Sequence, residues 1–193
     1  MSDALILNAE EQRYLLKLAR DSIKACLRDG GALEQKPENK KLEEHRGVFV
    51  TLEEYGELRG CIGYLGAAQP LYLAVRDNAV NAALKDPRFP PATLEELDNI
   101  EIEISVLTTP EPIESESPEE LLQKIRPGID GIIIEYKGRS ATYLPQVWEQ
   151  ITDKKEFLGS LCNKAGLRSD CWKEKGVKIF RYGVQAFKEK DHK

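Results

Sequence analysis

The chain has 193 residues, 41% of them hydrophobic and 32% charged, and its formal net charge is −5. That length is enough for one domain with a sizeable core or for two small lobes, and it excludes a second large domain. Because 33 acidic residues slightly outnumber 28 basic ones, the chain has the balance of a soluble globular protein and lacks the overall positive charge that duplex nucleic acid binding normally requires.

The first predicted element is a helix that starts after Asn8. Asn8 and Glu11 have the spacing of a capping box, in which each side chain bonds a backbone N–H group at the start of the helix. Apolar residues recur at helical spacing as far as Leu27, and Gly30-Gly31 predicts the end. Cys26 falls on the apolar stripe, so we expect it in the core.

A β-hairpin is predicted next, over GVFVTLEEYGELRGCIG. With residues 53–57 as its loop, the predicted pairs on the core face are Leu52 with Leu58, Val50 with Gly60 and Val48 with Ile62. The other face then carries Phe49 opposite Cys61 and Thr51 opposite Arg59. This register predicts that Cys61 lies beside Arg59 on the less apolar side of the hairpin.

A second helix is predicted from Pro70 to Lys85, because proline is favourable at a first helical position and apolar residues follow at helical spacing. The prolines of DPRFPP end it. A short capped helix is predicted from Thr93 to Asp98. The alternation in IEIEISVLT predicts a strand with one face exposed to solvent.

The remaining sequence predicts a second hairpin, a third longer helix and a final strand. The hairpin turns at Lys137-Gly138, the helix runs from Asp153 to Lys164, and the strand covers VKIFRYGVQAF. Strands joined sometimes by helices and sometimes by tight turns are typical of an α+β protein with largely antiparallel sheets flanked by helices.

The cysteines bear on location and metal binding. No apolar run approaches the ~20 residues needed to cross a bilayer and the start lacks a signal-peptide pattern, so we expect a cytoplasmic protein with no membrane association. Its cysteines are then expected to stay reduced as thiols: Cys26, Cys61, Cys162 and Cys171. Since no CxxC pair occurs and the only histidines are His45 and His192, no metal site is predicted.

Cys61 is the strongest candidate for chemistry. In the predicted register Arg59 lies two residues away on the same face, where its guanidinium would lower the pKa of the thiol from about 8.5. Gly60 and Gly63 would let a substrate or another backbone segment approach closely. The alternative interpretation is that Cys61 is a small buried residue of the core.

A thiol nucleophile usually needs a base, and His45 is the obvious candidate. On the predicted register His45 lies about four residues along the strand from Cys61, or more than ~10 Å away, which disfavours a Cys-His dyad. His45 is therefore a candidate binding residue or an ordinary surface histidine.

Three residues elsewhere are candidate binding groups. Asp86 and Arg88 lie on a rigid proline-rich connection, where functional residues often occur. The alternative is that this connection only stops a helix and places Phe89 in the core. Gln146 is a polar residue between apolar neighbours, which is typical of a side chain that lines a cleft.

Glu101 and Glu103 point to the same side of their predicted strand. Paired carboxylates are suited to acid–base or metal chemistry, but a solvated strand face explains them more simply. The sequence contains no GxGxxG, Walker, HExxH or GxSxG motif. The residues alone therefore name no cofactor.

The segment LRGCIG at residues 58–63 is preceded by GVFVTL and followed in order by DPRFPP, EIEISVLT, GIDGIIIE and TYLPQVW. In this series the chain resembles the AMMECR domain family, of which LRGCIG is the hallmark, and it is similar to protein A of the AmmeMemoRadiSam system. The resemblance implies a single domain over residues 1–193 with a larger and a smaller lobe and a cleft between them. It also implies that residues 58–63 are the functional segment and that a Memo-like protein and a radical SAM protein are partners. It implies no particular reaction.

Two hypotheses of function follow. The first is an enzyme in which Cys61 is the reactive thiol and Arg59 lowers its pKa or binds an anionic group. The second is a noncatalytic binding or adaptor module whose segment 58–63 contacts a partner protein or nucleic acid. Binding of RNA would need a basic groove, to which Arg59, Arg88, Lys137 and Arg139 would contribute if they cluster, and it is not favoured. The sequence predicts no oligomeric state.

Overall fold

The computed structural model describes residues 6–31 and 33–192. The chain divides into two compact units. The first unit holds the described residues up to Leu107 together with the stretch from Gln185, and the second unit runs from Thr108 to Val184. Each unit has its own four-stranded sheet, and the strand pairs are antiparallel. The α+β fold with antiparallel sheets flanked by helices is confirmed.

The first unit contains the hairpin with the candidate cysteine. Its elements are α1 (Ala9–Asp29), β1 (Val48–Glu54), β2 (Glu57–Tyr64), α2 (Leu71–Leu84), α3 (Leu94–Leu97), β3 (Ile100–Leu107) and β8 (Val184–Lys188). The strand order is β2-β1-β3-β8, which makes β2 an edge strand. One side of β2 therefore has no neighbouring strand to satisfy its backbone groups.

Helix α1 begins and ends where the sequence predicts. The Asn8 side chain accepts the N–H group of Glu11 at 3.0 Å, and the Glu11 carboxylate accepts the N–H group of Asn8 at 2.7 Å. Gly30 ends the helix with a φ of 65°, a left-handed conformation that glycine adopts without strain. Cys26, expected in the core, is only half-buried, because it lies in the last turn of α1 beside a cavity.

The core of the first unit lies between one face of its sheet and helices α1 and α2. The fully buried strand residues are Val48, Val50, Leu52, Ile100, Ile102, Ile104 and Val106. Helix α2 presents mainly alanines to them, so its backbone comes close to the sheet. A Cβ atom at Gly60 would overlap the carbonyl oxygen of Ala82, so this glycine permits the close approach of α2 to β2.

The hairpin register differs from the prediction by two residues. Cys61 lies opposite Thr51, Gly60 opposite Leu52 and Gly63 opposite Phe49. The predicted five-residue loop is instead a two-residue turn in which Tyr55 and Gly56 have φ values of 53° and 83°. Positive φ at both central residues is the type I′ geometry that matches the twist of the two strands.

A β-bulge accompanies this turn. The register shifts between Leu52 and Glu53, and Arg59 on β2 is left without a residue directly opposite. As a result Leu58, expected in the core, is 43% exposed, while Arg59 is buried. The bulge thus exchanges the expected environments of these two side chains.

The second unit contains β4 (Glu111–Pro112), α4 (Pro118–Lys124), β5 (Gly131–Tyr136), β6 (Arg139–Tyr143), α5 (Lys154–Lys164) and β7 (Lys178–Tyr182), with the strand order β4-β7-β5-β6. The predicted turn at Lys137-Gly138 is confirmed. In the core Phe157 stacks on Trp148, with ring centroids 3.6 Å apart. Aromatic burial of this kind contributes strongly to a small core.

Two expectations about this part of the chain are wrong. The predicted last strand is two strands in different sheets. The strand is interrupted at Gly183, whose N–H group donates to the Thr108 hydroxyl at 2.8 Å. Cys162 and Cys171, expected as thiols, form a disulfide. Both cysteines are buried in the second core, where α5 and the 3₁₀ turn Cys171–Lys173 meet. Among the described residues, Cys26 and Cys61 are the free cysteines.

Candidate functional site

The backbone of Cys61 is held at the free edge of β2. Its N–H group donates to Asp86 Oδ2 at 2.9 Å, and Arg88 Nη2 lies 3.4 Å from its carbonyl oxygen. Two side chains of the DPRFPP loop thus satisfy the backbone groups that a neighbouring strand would otherwise bond. We call this pair the Asp86–Arg88 brace.

The brace is a buried carboxylate bound by a partly exposed guanidinium. Asp86 is 5% exposed, and Arg88 donates to it from Nε at 2.9 Å and from Nη2 at 2.6 Å. These bonds from Arg88, together with the backbone N–H group of Cys61, hold the pKa of Asp86 well below its usual range. Asp86 therefore stays ionised at neutral pH, and the structure brings both predicted binding residues of this loop to Cys61.

Arg59 does not lie beside the thiol. Its guanidinium binds the carboxylate of Glu96 in α3 at 3.2 Å and lies 6.0 Å from the centroid of the Phe89 ring. The expectation that Arg59 lowers the pKa of Cys61 is wrong, because the bulge directs Arg59 to Glu96 and the cationic group that acts on the thiol is Arg88. The Nη1 atom of Arg59 is buried and has no hydrogen-bond partner within the described residues.

The environment of the Cys61 thiol favours its protonated form. Burial raises the pKa of Cys61, and the nearby carboxylates Asp86 and Glu103 add to this effect. A hydrogen bond from Thr51 Oγ1 to Sγ at 3.2 Å and the charge of Arg88 act in the opposite direction. The net direction is upward, so the group at neutral pH is a thiol, not a thiolate.

Cys61 belongs to a line of polar side chains that crosses the sheet. Thr51 on β1 pairs with Cys61 on β2 and with Glu103 on β3, so the three side chains share one face. Glu103 is ion-paired with Lys188 of β8 at 3.1 Å, and Lys188 also binds Glu53 at 2.9 Å. We call Cys61, Thr51, Glu103 and Lys188 the polar row.

Sequence reasoning missed the place of Glu103 in this row. Its side chain is only 15% exposed, and the buried Ser105 hydroxyl donates to it at 3.4 Å. The alternation in β3 identified the strand face of Glu103 but not the strands on either side. Thr51 is the residue that could have revealed the row from the sequence. If β1 is placed between β2 and β3, Thr51 lies on the same sheet face as Cys61 and Glu103.

The other candidates are separate from the polar row. His45 is exposed, its Nδ1 atom lies 3.2 Å from the carbonyl oxygen of Ala67, and the residue pairs with Pro70. Gln146 is exposed on the 3₁₀ helix Pro145–Glu149 of the second unit. Gly63 lies under Phe49, where a Cβ atom would overlap the backbone and ring of that residue.

In the described part of the chain, no group of three or more histidine, cysteine, aspartate or glutamate side chains is arranged to hold a metal ion. Across the same residues, no helix is both long enough and apolar enough to pass through a bilayer.

The fold and the site together define a class of protein, an α+β protein with a cysteine on a braced edge strand. The AMMECR1 family model matches residues 16–187, and the chain belongs to the AMMECR1 family. A protein from Methanothermobacter thermautotrophicus is 45% identical over 185 residues, which cover 95% of this chain and 96% of that protein. Protein MJ0810 from Methanocaldococcus jannaschii is 46% identical over 188 residues, which cover 95% of this chain and 92% of that protein.

A solved structure has the same fold. The crystal structure of the uncharacterized protein PH0010 from Pyrococcus horikoshii matches with a TM-score of 0.85 and 43% sequence identity. The match covers 91% of this chain and 90% of that one. The family and fold are thereby fixed, whereas the activity must be argued from the residues of the site.

Proposed function

We propose that the chain is an enzyme in which the Cys61 thiol and the Glu103 carboxylate act on one substrate. The observation that carries the proposal is the polar row, which places a protonated thiol and an ion-paired carboxylate on either side of Thr51. Removing most of a carboxylate from water is costly, and Glu103, only 15% exposed, shares a sheet face with the thiol across Thr51, which supports a chemical role for the two groups.

The row is suited to proton transfer. The Cys61 thiol is a proton donor at neutral pH because its pKa is raised, and Glu103, which is ion-paired with Lys188, is the proposed proton acceptor. Their strands flank β1, so their Cα atoms are separated by two strand spacings, or roughly 9–10 Å. A substrate lying across Thr51 would meet a donor on one side and an acceptor on the other.

The brace supports the proposal by fixing the backbone of Cys61. A catalytic group must be held within a fraction of an ångström of its working position, and a loop alone seldom achieves that. Here Asp86 and Arg88 tie both backbone polar groups of Cys61 at an edge that would otherwise be open.

The test compares the unmodified protein with Cys61→Ala, Glu103→Gln and Cys26→Ser, the last being the control because Cys26 is the other free thiol. Each purified protein is incubated with the small-molecule extract of its host cells, and metabolites are followed by mass spectrometry. We expect one or more metabolites to be consumed by the unmodified protein and by Cys26→Ser. Glu103→Gln should act about 100-fold more slowly, the typical loss of one general acid–base group, and Cys61→Ala should be inactive. Equal consumption by Cys61→Ala, or none by the unmodified protein, would refute the proposal.

A second candidate function is a binding module for a protein partner, and exposed apolar residues at the hairpin turn favour it. Tyr55 is 81% exposed and Leu58 43% exposed, and the acidic residue Glu57 lies between them. An exposed apolar pair flanked by acidic groups is suited to a partner segment with apolar and basic side chains. Under this function Leu58→Ser would abolish partner capture while Cys61→Ala would leave it intact.

The partners implied by the family resemblance belong to the same proposal. We propose a cytoplasmic location and an association with Memo-like and radical SAM proteins, and we do not propose nucleic acid as the partner. The formal net charge of −5 supports the last point, since nucleic acid binding normally draws on an excess of positive charge. Co-purification of tagged protein from its host, with Leu58→Ser as the matched control, tests the association.

A further inference from the structure

A cavity of about 590 Å³ lies in the first unit, apart from the polar row and the brace. It is lined by residues from the last turn of α1, from one face of α2 and from the end of β2, including Cys26 and Tyr64. Its volume falls in the range of about 300–1,000 Å³ that is typical of small-molecule sites. None of the residues of the polar row contributes to it.

The charged side chains of this cavity are mainly cationic. Arg46, Arg76 and Lys85 line it, and Asp77 is the only acidic residue among the lining side chains of the described chain. Asp77 is ion-paired with Arg76, whose Nε lies 2.8 Å from its carboxylate, so the excess positive charge of the lining comes from Arg46 and Lys85. The lining side chains of the cavity therefore carry an excess of positive charge, although the net charge of the protein is −5. An attraction for anions would thus be a property of this cavity and not of the protein as a whole.

One of these cations is set deep in the wall. The side chain of Arg46 is only 9% exposed, and the carboxylate it binds at 3.1 Å belongs to Glu44, which is 46% exposed and does not line the cavity. A guanidinium held in this way has a fixed position in the wall, and guanidinium groups suit the geometry of a carboxylate or phosphate group.

The rest of the wall is mainly apolar, with Gln69 and Asn81 as its uncharged polar residues. Leu33, Val48, Val80 and Ala74 supply aliphatic surface, and the exposed ring of Tyr64 stands among them. A few polar groups that fix orientation within an otherwise apolar lining are the usual composition of a ligand site.

We propose that this cavity binds a small organic anion with an apolar body. Its anionic group is attracted by the positive charges of Arg46, Arg76 and Lys85, which outnumber the single carboxylate among the described lining residues, and its body lies against the aliphatic wall. The proposal concerns a site distinct from Cys61 and does not depend on the function proposed for the polar row.

The experiment uses three probe anions, 4-phenylbutyrate, phenyl phosphate and 1-naphthalenesulfonate, with 4-phenylbutanol as the uncharged match of the first. Binding to the whole chain is measured by isothermal titration calorimetry. In parallel, alkylation of Cys26 reports on occupancy, because Cys26 lines the cavity and Cys61 does not. We expect at least one anion to bind and to slow the alkylation of Cys26 without slowing that of Cys61, and we expect the alcohol to bind at least tenfold more weakly than 4-phenylbutyrate.

Two charge-reversal variants distinguish anion binding in the cavity from a general effect of the protein's net charge. Lys85→Glu alters an exposed residue that lines the cavity, and Lys155→Glu makes the same change at an exposed residue of α5 in the second unit. We expect Lys85→Glu to weaken anion binding at least fivefold and Lys155→Glu to leave it unchanged. The proposal is overturned if no probe anion binds, if both variants weaken binding equally, or if Cys26 remains unprotected when an anion is bound.

Discussion

The second unit holds stacked aromatic rings and a disulfide in its core, whereas the first unit holds polar side chains at a sheet edge and on a sheet face. The second unit has stacked rings of Trp148 and Phe157 and a disulfide close by. The first unit has an alanine-rich helix against its sheet and uses Asp86 and Arg88 to complete the edge of β2. The comparison indicates that aromatic packing and a disulfide stabilise the second unit, while the first unit holds polar groups at fixed positions, as a reactive site requires.

The largest expected effect is on the packing of the second unit. Phe157→Ala removes a fully buried ring that stacks on Trp148, and we expect a loss of about 3–5 kcal/mol of unfolding free energy. Both tryptophans of the chain, Trp148 and Trp172, belong to the second unit, so tryptophan fluorescence during urea unfolding reports that unit alone. A loss below about 1 kcal/mol would mean that the stacked rings are not what holds this core.

The next effect is loss of the disulfide. Replacing Cys162 and Cys171 with serine opens a short loop and places hydroxyl groups in the core, which should cost about 2–4 kcal/mol. The same fluorescence measurement, repeated on unmodified protein with and without a reducing agent, checks it. Cys26→Ser is the control, since Cys26 is a free thiol of the first unit and should be indifferent to reduction.

The brace gives a smaller effect that depends on pH. Asp86→Asn retains an acceptor for the Cys61 N–H group but loses the charge that binds Arg88, and we expect a cost of about 1–3 kcal/mol. The folded-state pKa of Asp86 lies below its unfolded value of about 3.9, so its contribution is present above pH 4 and is lost as the pH falls below that value.

Amide exchange at Cys61 measures the brace directly. We expect faster exchange of this amide in Asp86→Asn at pH 7, and a difference from unmodified protein that narrows below pH 4. Exchange at Ile104, in the central strand β3, is the internal reference. Equal exchange of the Cys61 amide in both proteins at pH 7 would show that the brace does not protect this edge.

Features set by neighbouring residues in the chain could be predicted from the sequence. The capping box of α1, the turn at Lys137-Gly138 and the alternation of β3 were all predicted, because each depends on contacts within a few residues. The hairpin register could not be obtained in the same way. The turn at Tyr55-Gly56 uses tyrosine where asparagine or aspartate is usual, and the bulge then shifts the β2 pairs from Gly60 to Tyr64 by one further residue.

The candidate site was predicted only in part, and the reason is again distance along the chain. Cys61, Asp86 and Arg88 were selected individually, and the structure brings them together. Glu103 was interpreted as part of a solvated strand face, since its partners Thr51 and Lys188 come from strands far away in sequence. The disulfide was missed for a related reason, since spacing alone does not show that α5 and the following turn bring two cysteines together.

The smallest expected effect tests the electrostatics of the polar row. Glu103→Gln removes a negative charge that raises the pKa of Cys61, so alkylation of Cys61 by iodoacetamide at pH 7.5 should become about two- to fivefold faster. Thr51→Val removes the hydrogen bond that favours the thiolate, so the same reaction should slow by about two- to tenfold. Cys26, on α1, serves as the reference thiol within each sample. The opposite sign for Glu103→Gln would mean that Glu103 already accepts the thiol proton in the unliganded protein. The expected sign, combined with slower metabolite consumption, would mean that Glu103 accepts a proton only from a substrate that lies across the row.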